Sequence, residues 1–303
     1  MTATAHSSLE GRISENVRRI DIRTRRLTND CFQGGVQSRF RGRGMDFDEL
    51  REYEPGDDVR AIDWNASART GRTFVKKYRE ERQLTVVFVV DMSASGAQGA
   101  GEATKREQAV EIAGVLALAA LRSDHRVGLL LYTDTVEKFI PPARGRAHTR
   151  RMVHDLVAFE PKGRGTQLGD ALRTLRKRLH RRAVIVVLSD FLVSSRDRED
   201  SRLELAGLAR KHDVVCIRTG DQHDRGLPPV GLLTLEDAET GEIVEIDTGN
   251  ARQRAMLAKV MRETDEHIRA LVRGAGADFL EVDTLQPYLG ALIGFFKSRG
   301  VRS

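Results

Sequence analysis

Two short apolar runs give the strongest signal in the hydrophobic pattern of the chain. Residues 85–90, TVVFVV, lead directly into Asp91, and Ala183–Leu188, AVIVVL, leads into Ser189 and Asp190. Neither run alternates with polar residues, and both are rich in β-branched side chains. This pattern is typical of strands that are buried on both faces within a mostly parallel sheet. We therefore predict two central strands, each of which ends at a polar residue.

Strand-like and helix-like segments alternate along the chain from Leu84 onward. The other predicted strands are Arg126–Tyr132, Val136–Ile140, Val214–Ile217 and Asp278–Val282, with a hairpin over Leu232–Asp247. The predicted helices are Arg106–Arg122, one that carries Leu168, Leu172, Leu175 and Leu179, one around Leu203–Leu208, one that carries Leu257, Val260, Ile268 and Leu271, and Tyr288–Phe296. Pro141 and Pro142 are expected to end an edge strand, because proline cannot donate to a strand ladder. The alternation predicts an α/β fold with a doubly wound, mostly parallel sheet.

The length of 303 residues suits one large domain and a smaller region. We expect residues 84–303 to form the α/β domain and residues 1–83 to form a smaller region of helix, strand and loop. Between Glu10 and Asp30, four apolar residues, Ile20 among them, recur at near-helical spacing, which predicts an amphipathic helix docked on the domain. The arginines between them leave a second interpretation open, a basic arm that binds an acidic partner.

Composition and charge narrow the class of protein without identifying it. The chain has 31% charged and 5% aromatic residues, as in an ordinary soluble protein. The net charge of +6 is small against 50 basic and 44 acidic residues, so it favours acidic partners without singling out nucleic acid. No apolar run approaches the roughly 20 residues that span a bilayer, and the amino terminus lacks the apolar core of a signal peptide. With two cysteines the chain offers no disulfide framework, and we expect a cytoplasmic protein.

Five oxygen-bearing side chains lie at predicted strand ends or helix starts, namely Asp91, Ser93, Ser95, Thr166 and Asp190. Loops that leave the carboxyl ends of parallel strands converge at one edge of the sheet, which is where ligands bind in open α/β folds. A magnesium ion prefers about six oxygen ligands and keeps several waters, so three hydroxyls and two carboxylates suit it. The alternative is that these side chains cap helix amino ends, where Asp, Ser and Thr are favoured.

The order Asp-x-Ser-x-Ser, then Thr, then Asp resembles the metal-ion-dependent adhesion site of von Willebrand factor A domains. In that family the serines and the threonine contact the metal, and the aspartates act directly or through water. The open coordination position receives a carboxylate from the partner protein. The resemblance implies that Mg²⁺ or Mn²⁺ binds at these five residues and that a partner supplies an acidic side chain to it.

Charged residues crowd around the single tryptophan of the chain. Asp57, Asp58, Arg60 and Asp63 precede Trp64. Such a mixture cannot form an apolar core, so it is either solvated or satisfied by ion pairs. We predict a network of ion pairs that holds this block in place.

The same block carries a second resemblance. Its motifs are Gly44 with Asp46-Phe47, Arg51–Asp58, Arg60–Trp64 and Ala68-Arg69. They are similar to the hallmark of the bacterial family known as domain of unknown function 58. Members have a von Willebrand A-like domain, are commonly encoded beside a MoxR-type AAA+ ATPase and have no enzymatic reaction attached to them. The resemblance implies the shorter form of the family, without a membrane segment before the block, and a MoxR-type AAA+ ATPase as partner.

These observations favour a non-enzymatic, metal-dependent protein-binding adaptor or regulator, and two other functions stay open. The first is a metal-dependent hydrolase that uses Asp91 and Asp190. A haloacid-dehalogenase-type phosphatase would need a second aspartate where Ser93 stands, and neither a G-x-S-x-G nor an H-E-x-x-H motif occurs. The second is nucleic-acid binding by the arginine-rich segments. It is disfavoured because those segments lack the interleaved aromatic residues on which bases stack.

Overall fold

The computed structural model describes residues 20, 46–54, 57, 62–79, 83–99, 103–221, 224 and 226–301. These residues fall into two compact units, one within Phe40–Gln83 and a larger one that comprises Ile20 and the chain from Leu84. In the smaller unit, β1 (Asp46–Glu52) and β2 (Phe74–Arg79) pair in an antiparallel sheet, and α1 (Trp64–Thr70) precedes β2. The assignment of residues 1–83 to one N-terminal region stays a prediction.

The larger unit is built on a six-stranded sheet. Its strands are β3 (Thr85–Asp91), β4 (Arg126–Tyr132), β5 (Val136–Ala143), β6 (Val184–Ser189), β7 (Asp213–Gly220) and β10 (Asp278–Asp283), while β8 (Leu232–Glu236) and β9 (Ile243–Asp247) form a separate antiparallel hairpin. The spatial order is β10-β7-β6-β3-β4-β5, and every pair is parallel except β4 with β5. The chain therefore fills one half of the sheet outward from β3 and then the other half outward from β6. The predicted α/β fold with a doubly wound, mostly parallel sheet is confirmed.

Helices cover both faces of this sheet. They are α2 (Lys105–Arg122), α3 (Arg146–Val157), α4 (Leu168–Arg178), α5 (Ser195–Ala209), α6 (Ala251–Gly274) and α7 (Tyr288–Val301). One face packs against α4, α5 and α6 through a continuous apolar core that includes Val87 and Val89 of β3. The other face carries α2 and α3, and the Tyr288 hydroxyl of α7 donates a hydrogen bond to Glu111 of α2. Because both faces are covered, the central strands are apolar throughout.

Helix α2 is buried nearly all round, as its apolar sequence predicts. Ile20, the one described residue before β1, is 1% exposed and lies against Gly114 at the middle of α2. A Cβ atom at position 114 would come within 2.8 Å of Ile20 Cδ1, so the close contact needs glycine there. The rest of the helix predicted between Glu10 and Asp30 lies outside the described residues.

One strand differs from its predicted extent. Pro141 and Pro142 do not end β5, which continues through both prolines to Ala143 and pairs with Val127 of β4 across a register shift. The strand lies at the edge of the sheet, as predicted, but the prediction that the prolines end it is wrong. One side of an edge strand has no neighbour that needs its N–H groups, and an irregular register removes others from the ladder, so proline is tolerated.

The charge-rich block around Trp64 is described in part. Arg51 donates to Asp57 at 2.5 Å, and Asp63 Oδ1 accepts a hydrogen bond from Ala66 N in the first turn of α1. The Trp64 side chain is 71% exposed. Asp58 and Arg60 lie outside the described residues, so the predicted ion-pair network around Trp64 stays a prediction.

Two buried histidines connect neighbouring strands of the sheet in the same way. His125 directly precedes β4 and accepts the Leu84 N–H before β3 through Nδ1 at 3.4 Å. His212 directly precedes β7 and accepts the Ala183 N–H before β6 through Nδ1 at 3.2 Å. Burial disfavours the charged imidazolium and lowers the pKa of each histidine to about 4.

These histidines predict a loss of stability in mild acid. In the unfolded chain their pKa is about 6.5, so below that pH the unfolded state binds protons that the folded state does not. Stability should therefore be complete above about pH 6.5 and fall as the pH drops toward about 4. In urea unfolding at about pH 7 and about pH 5, the double variant His125→Asn, His212→Asn should lose less stability than the wild type, because an amide oxygen accepts without titrating. Exposed His180→Asn is the control, and an unchanged pH dependence in the double variant would contradict the assignment.

Candidate metal centre

The five predicted ligands come together at one edge of the sheet. Asp91 is the last residue of β3, Ser93 and Ser95 lie in the loop that follows, Thr166 lies just before α4, and Asp190 directly follows β6. Strands β3 and β6 are adjacent and parallel, so their carboxyl ends meet. This is also the position where the winding of the sheet reverses, and loops diverge there to leave a crevice.

Asp91 is held by neutral donors on both carboxylate oxygens. Its Oδ1 accepts the Ser93 N–H at 2.9 Å. Its Oδ2 accepts the Ser189 hydroxyl at 2.7 Å and the Tyr132 hydroxyl at 3.3 Å. Ser189 ends β6 and Tyr132 ends β4, so the strands on either side of β3 fix the orientation of this buried carboxylate.

The serine loop is tied to the segment that carries Thr166. The hydroxyls of Ser93 and Ser95 lie 3.0 Å apart and form a hydrogen bond. Between them, Ala94 N donates to the Arg164 carbonyl at 2.9 Å. This backbone hydrogen bond brings the Thr166 segment to the serine hydroxyls, although the two segments are distant in sequence.

A single carboxylate anchors the loop before Thr166. Glu137 on β5 accepts hydrogen bonds from the Thr133 hydroxyl at 2.7 Å and from the backbone N–H groups of Lys162 and Gly163 at 2.9 Å. The loop packs so closely here that a Cβ atom on Gly163 would overlap Asp134 Oδ1 and Thr133 Oγ1. Glycine is therefore required at position 163 for the loop to reach the site.

The start of α4, just after Thr166, is fixed by a residue of α5. Asp197 accepts the N–H groups of Leu168 at 2.9 Å and Gly169 at 3.1 Å, and it also accepts the Ser201 hydroxyl at 3.1 Å. A carboxylate suits the amino end of a helix, where N–H groups lack partners within the helix. Asp197 thus acts on the site indirectly, by holding the helix that follows Thr166.

One carboxylate oxygen of Asp190 lacks a hydrogen-bond partner among the described residues. Oδ1 accepts the Leu192 N–H at 3.0 Å, whereas Oδ2 is buried and has no hydrogen-bond partner within the described part of the chain. The next residue, Phe191, is buried and adopts a left-handed backbone with φ of 58°. A bulky residue rarely takes this conformation, and such strain often accompanies a functional site.

Glu239 reaches the same site from the turn between β8 and β9. Its Oε1 accepts the Thr166 hydroxyl at 2.6 Å. Burial raises the pKa of the Glu239 carboxyl, and so does the negative charge of Asp190, whereas hydrogen bonds from Thr166 and Ser95 lower it. These interactions place Glu239 beside three of the five predicted ligands. Its sequence offers no signal of this, because nothing distinguishes it from Glu236 or Glu242 in the same hairpin.

The electrostatics of the site suit a divalent cation. The pKa of Asp91 rises to about 7, because burial disfavours its charge and Asp190 adds a second negative charge, while hydrogen bonds from Ser189 and Ser93 oppose the rise. A cation would offset this repulsion and supply a partner for Asp190 Oδ2. The described residues contain no group of three or more His, Cys, Asp or Glu side chains that could hold a metal by themselves. Hydroxyl oxygens would therefore have to complete a cation site, and hard oxygen donors fit Mg²⁺.

A cavity of about 510 Å³ opens beside the site. Ser95 and Glu239 lie on its wall, together with Phe191, Arg198 and His267. It lies between the β8–β9 hairpin, the loop after β6, and helix α6. The candidate site thus borders a space large enough for side chains of another molecule.

The doubly wound sheet, with its polar crevice at the point where the winding reverses, defines an open α/β domain. The chain belongs to the family described as "Protein of unknown function DUF58", whose sequence model matches residues 49–267. The family membership that the Trp64 block implied is therefore confirmed. Within the described residues, every helix is too short or too polar to cross a bilayer.

Proteins of mycobacteria are similar to this chain in sequence. An uncharacterized protein of Mycobacterium tuberculosis is 29% identical over 95% of this chain and 90% of its own length. An uncharacterized protein of Mycobacterium avium is 30% identical over 52% of this chain and 92% of its own length. Neither name assigns a function.

Among solved structures, the conserved hypothetical protein BatB from Bacteroides thetaiotaomicron is 14% identical, with a TM-score of 0.47 over 73% of this chain and 100% of that one. The SpRpn10 VWA domain is 11% identical, with a TM-score of 0.42 over 71% of this chain and 95% of that one. Likenesses at this level assign neither a ligand nor a partner. The role of the five residues as metal ligands stays a prediction.

The close packing of the Thr166 loop gives a test with a built-in control. Gly163→Ala would force a methyl group into Asp134 and Thr133, and overpacking of this kind costs roughly 1–3 kcal/mol of stability. Gly165→Ala makes the same chemical change two residues away, where the new Cβ atom would lie 3.5 Å from Asp134 Cβ, an ordinary contact. Urea unfolding should show the loss for Gly163→Ala alone. Equal stability of the two variants would mean that the loop does not need this close contact.

Proposed function

We propose that this protein is a non-enzymatic adaptor or regulator whose α/β domain binds a partner protein through a divalent cation. The cation is Mg²⁺ or Mn²⁺, and its ligands come from Asp91, Ser93, Ser95, Thr166 and Asp190. The observation that carries the proposal is the buried Asp190 Oδ2, which has no hydrogen-bond partner in the described part of the chain, beside a second buried carboxylate. Burying such a group without a partner is costly, and a cation would remove the cost.

The charge balance supports a role for the cation in recognition. Asp91 and Asp190 together neutralise a divalent ion. The hydroxyls of Ser93, Ser95 and Thr166 add ligands without adding charge, so the bound ion would still attract an anionic group. An acidic side chain of a partner protein has the chemistry to fill the remaining position, and the neighbouring cavity has room for the residues beside it.

Several contacts favour binding over catalysis. Both oxygens of Asp91 accept hydrogen bonds from neutral donors of its own chain, which hold the carboxylate in one orientation, as a preorganised ligand requires. Ser93 stands where a haloacid-dehalogenase-type phosphatase would need its second aspartate.

The ion pairs of α4 argue against nucleic-acid binding. Arg173 bonds to Asp170, Asp200 and Glu204, and Arg176 bonds to Glu204. Carboxylates of their own chain already match these two arginines, so Arg173 and Arg176 are not free to bind phosphate groups. The proposed partner is instead a protein, a MoxR-type AAA+ ATPase, as the family resemblance implies.

Cation binding can be measured directly by calorimetry. Asp190→Asn removes one of the two charges while keeping the shape of the side chain, so we expect loss of detectable Mg²⁺ binding. Thr166→Ala should weaken binding by about tenfold or more, in the range found when groups around a metal are removed. Thr234→Ala, an exposed threonine on β8, is the matched control and should bind as the wild type does. Equal Mg²⁺ affinity in all four proteins would rule out the site.

Partner binding tests the second half of the proposal. The purified MoxR-type ATPase of the same organism should bind the wild-type protein in constant excess Mg²⁺, and it should bind Thr234→Ala equally well. Thr166→Ala and Asp190→Asn should bind it more weakly by at least the factor by which they lose Mg²⁺. Keeping Mg²⁺ constant avoids removing the cation that the ATPase itself needs for nucleotide. Unchanged partner binding by Asp190→Asn, despite lost Mg²⁺ binding, would show that the cation does not mediate the contact.

A further inference from the structure

The β8–β9 hairpin delivers a carboxylate into the candidate metal centre. Glu239 lies in its turn, and Glu239 Oε1 accepts the Thr166 hydroxyl at 2.6 Å. Ser95 and Asp190 are both close enough to Glu239 to affect its charge. The hairpin thus brings a third acidic side chain to residues that already include two.

Hydrogen bonds within the turn between β8 and β9 fix the backbone at Glu239. Asp237 Oδ1 accepts the backbone N–H groups of Glu239 at 2.8 Å and Thr240 at 2.9 Å, which fixes the local conformation. On the other side, Arg164 Nη2 donates to the Ala238 carbonyl at 3.0 Å. Arg164 belongs to the same segment as Thr166, so two separate contacts hold the turn against that segment.

We propose that the chain itself supplies, through Glu239, the acidic side chain at the open side of the cation. Within the described residues the three carboxylates do not form a group that could hold a metal alone, so the hydroxyls, Thr166 first among them, remain part of the ligand set. The hairpin thereby occupies the position that an acidic side chain of a partner would take. This inference rests on the proposed function, because it concerns the same cation. Glu239 accepts a hydrogen bond from the hydroxyl of Thr166, one of the three proposed as ligands, and its carboxylate has the same chemistry as the group expected from a partner.

In this arrangement, a partner protein would reach the cation by displacing the Glu239 side chain. An external carboxylate would have to replace Glu239, so the free protein would be held in a self-occupied state. Glu239 lines the cavity beside the site, and its side chain therefore has open space to move into when it is displaced. Within the described residues, β8 and β9 pair with each other and with no strand of the six-stranded sheet, so displacing Glu239 would break the contacts from Thr166 and Arg164 but no hydrogen bond of that sheet.

Calorimetric Mg²⁺ titration of full-length variants tests this assignment. Glu239→Gln keeps an acceptor for the Thr166 hydroxyl but removes the charge, and it should weaken Mg²⁺ binding by about tenfold or more. Glu239→Ala should weaken it at least as much, and added acetate should restore the affinity, because a free carboxylate can fill the vacated position. Acetamide, which has the same shape and no charge, should not restore it. Glu242→Gln makes the same change at an exposed position of the same hairpin and should bind Mg²⁺ like the wild type, with or without acetate.

The outcomes separate this inference from the proposed function. If Asp190→Asn loses Mg²⁺ while Glu239→Gln binds it as well as or better than the wild type, the site stands and Glu239 is not a ligand. If Glu239→Ala binds weakly but acetate has no effect, Glu239 only holds the hairpin in place and the inference fails. If Asp190→Asn binds Mg²⁺ like the wild type, the proposed function and this inference fall together.

Discussion

The burial of the Asp91 carboxylate is the constraint on which the rest of the site depends. Asp91 ends a strand whose residues Val86–Val90 have no exposed surface, and it is itself 6% exposed. A charge in such a place must be compensated by nearby groups. The donors that contact it, from Ser93, Ser189 and Tyr132, are neutral, so they orient the carboxylate without cancelling its charge. The loops that carry the other proposed ligands therefore lie around a carboxylate that no positively charged side chain contacts in the described part of the chain.

Three tethers assemble the site from segments that are distant in sequence. The Ala94 N–H donates to the Arg164 carbonyl. Glu137 accepts hydrogen bonds from backbone N–H groups in the loop before Thr166, and Asp197 accepts them at the start of the helix after Thr166. None of these tethers uses a proposed ligand. Contacts within the chain therefore position the Thr166 hydroxyl without a cation, as a preorganised site requires.

Much of the fold could be predicted because the central strands carry a strong local signal. The run that ends at Asp91 and the run that ends at Asp190 are apolar on both faces, and parallel pairing brings their ends to one edge. The extent of β5 could not be predicted in the same way. The edge position was predicted, but whether Pro141 and Pro142 interrupt the strand depends on its register with β4, and the sequence of β5 alone does not show the register shift near Val127.

The candidate site could be predicted in part for a similar reason. Asp91, Ser93 and Ser95 are close in sequence, Asp190 follows the second apolar run, and Thr166 starts a predicted helix, so local pattern placed all five at strand ends or helix starts. Glu239 lies 73 residues beyond Thr166 in an ordinary hairpin turn, and only tertiary structure brings the two together. Ser189 and Tyr132 were visible as strand ends, but their contact with Asp91 depends on strand order, which local pattern does not specify.

The contact between Ile20 and Gly114 has a consequence for how the protein can be divided. Helix α2 crosses the centre of the sheet and is apolar on the side that faces away from it, and Ile20 covers part of that side. The sheet and its helices from Leu84 onward therefore do not make a complete core by themselves. A fragment cut at the start of β3 would uncover α2 at Gly114, because the compact unit built on the sheet is discontinuous in sequence.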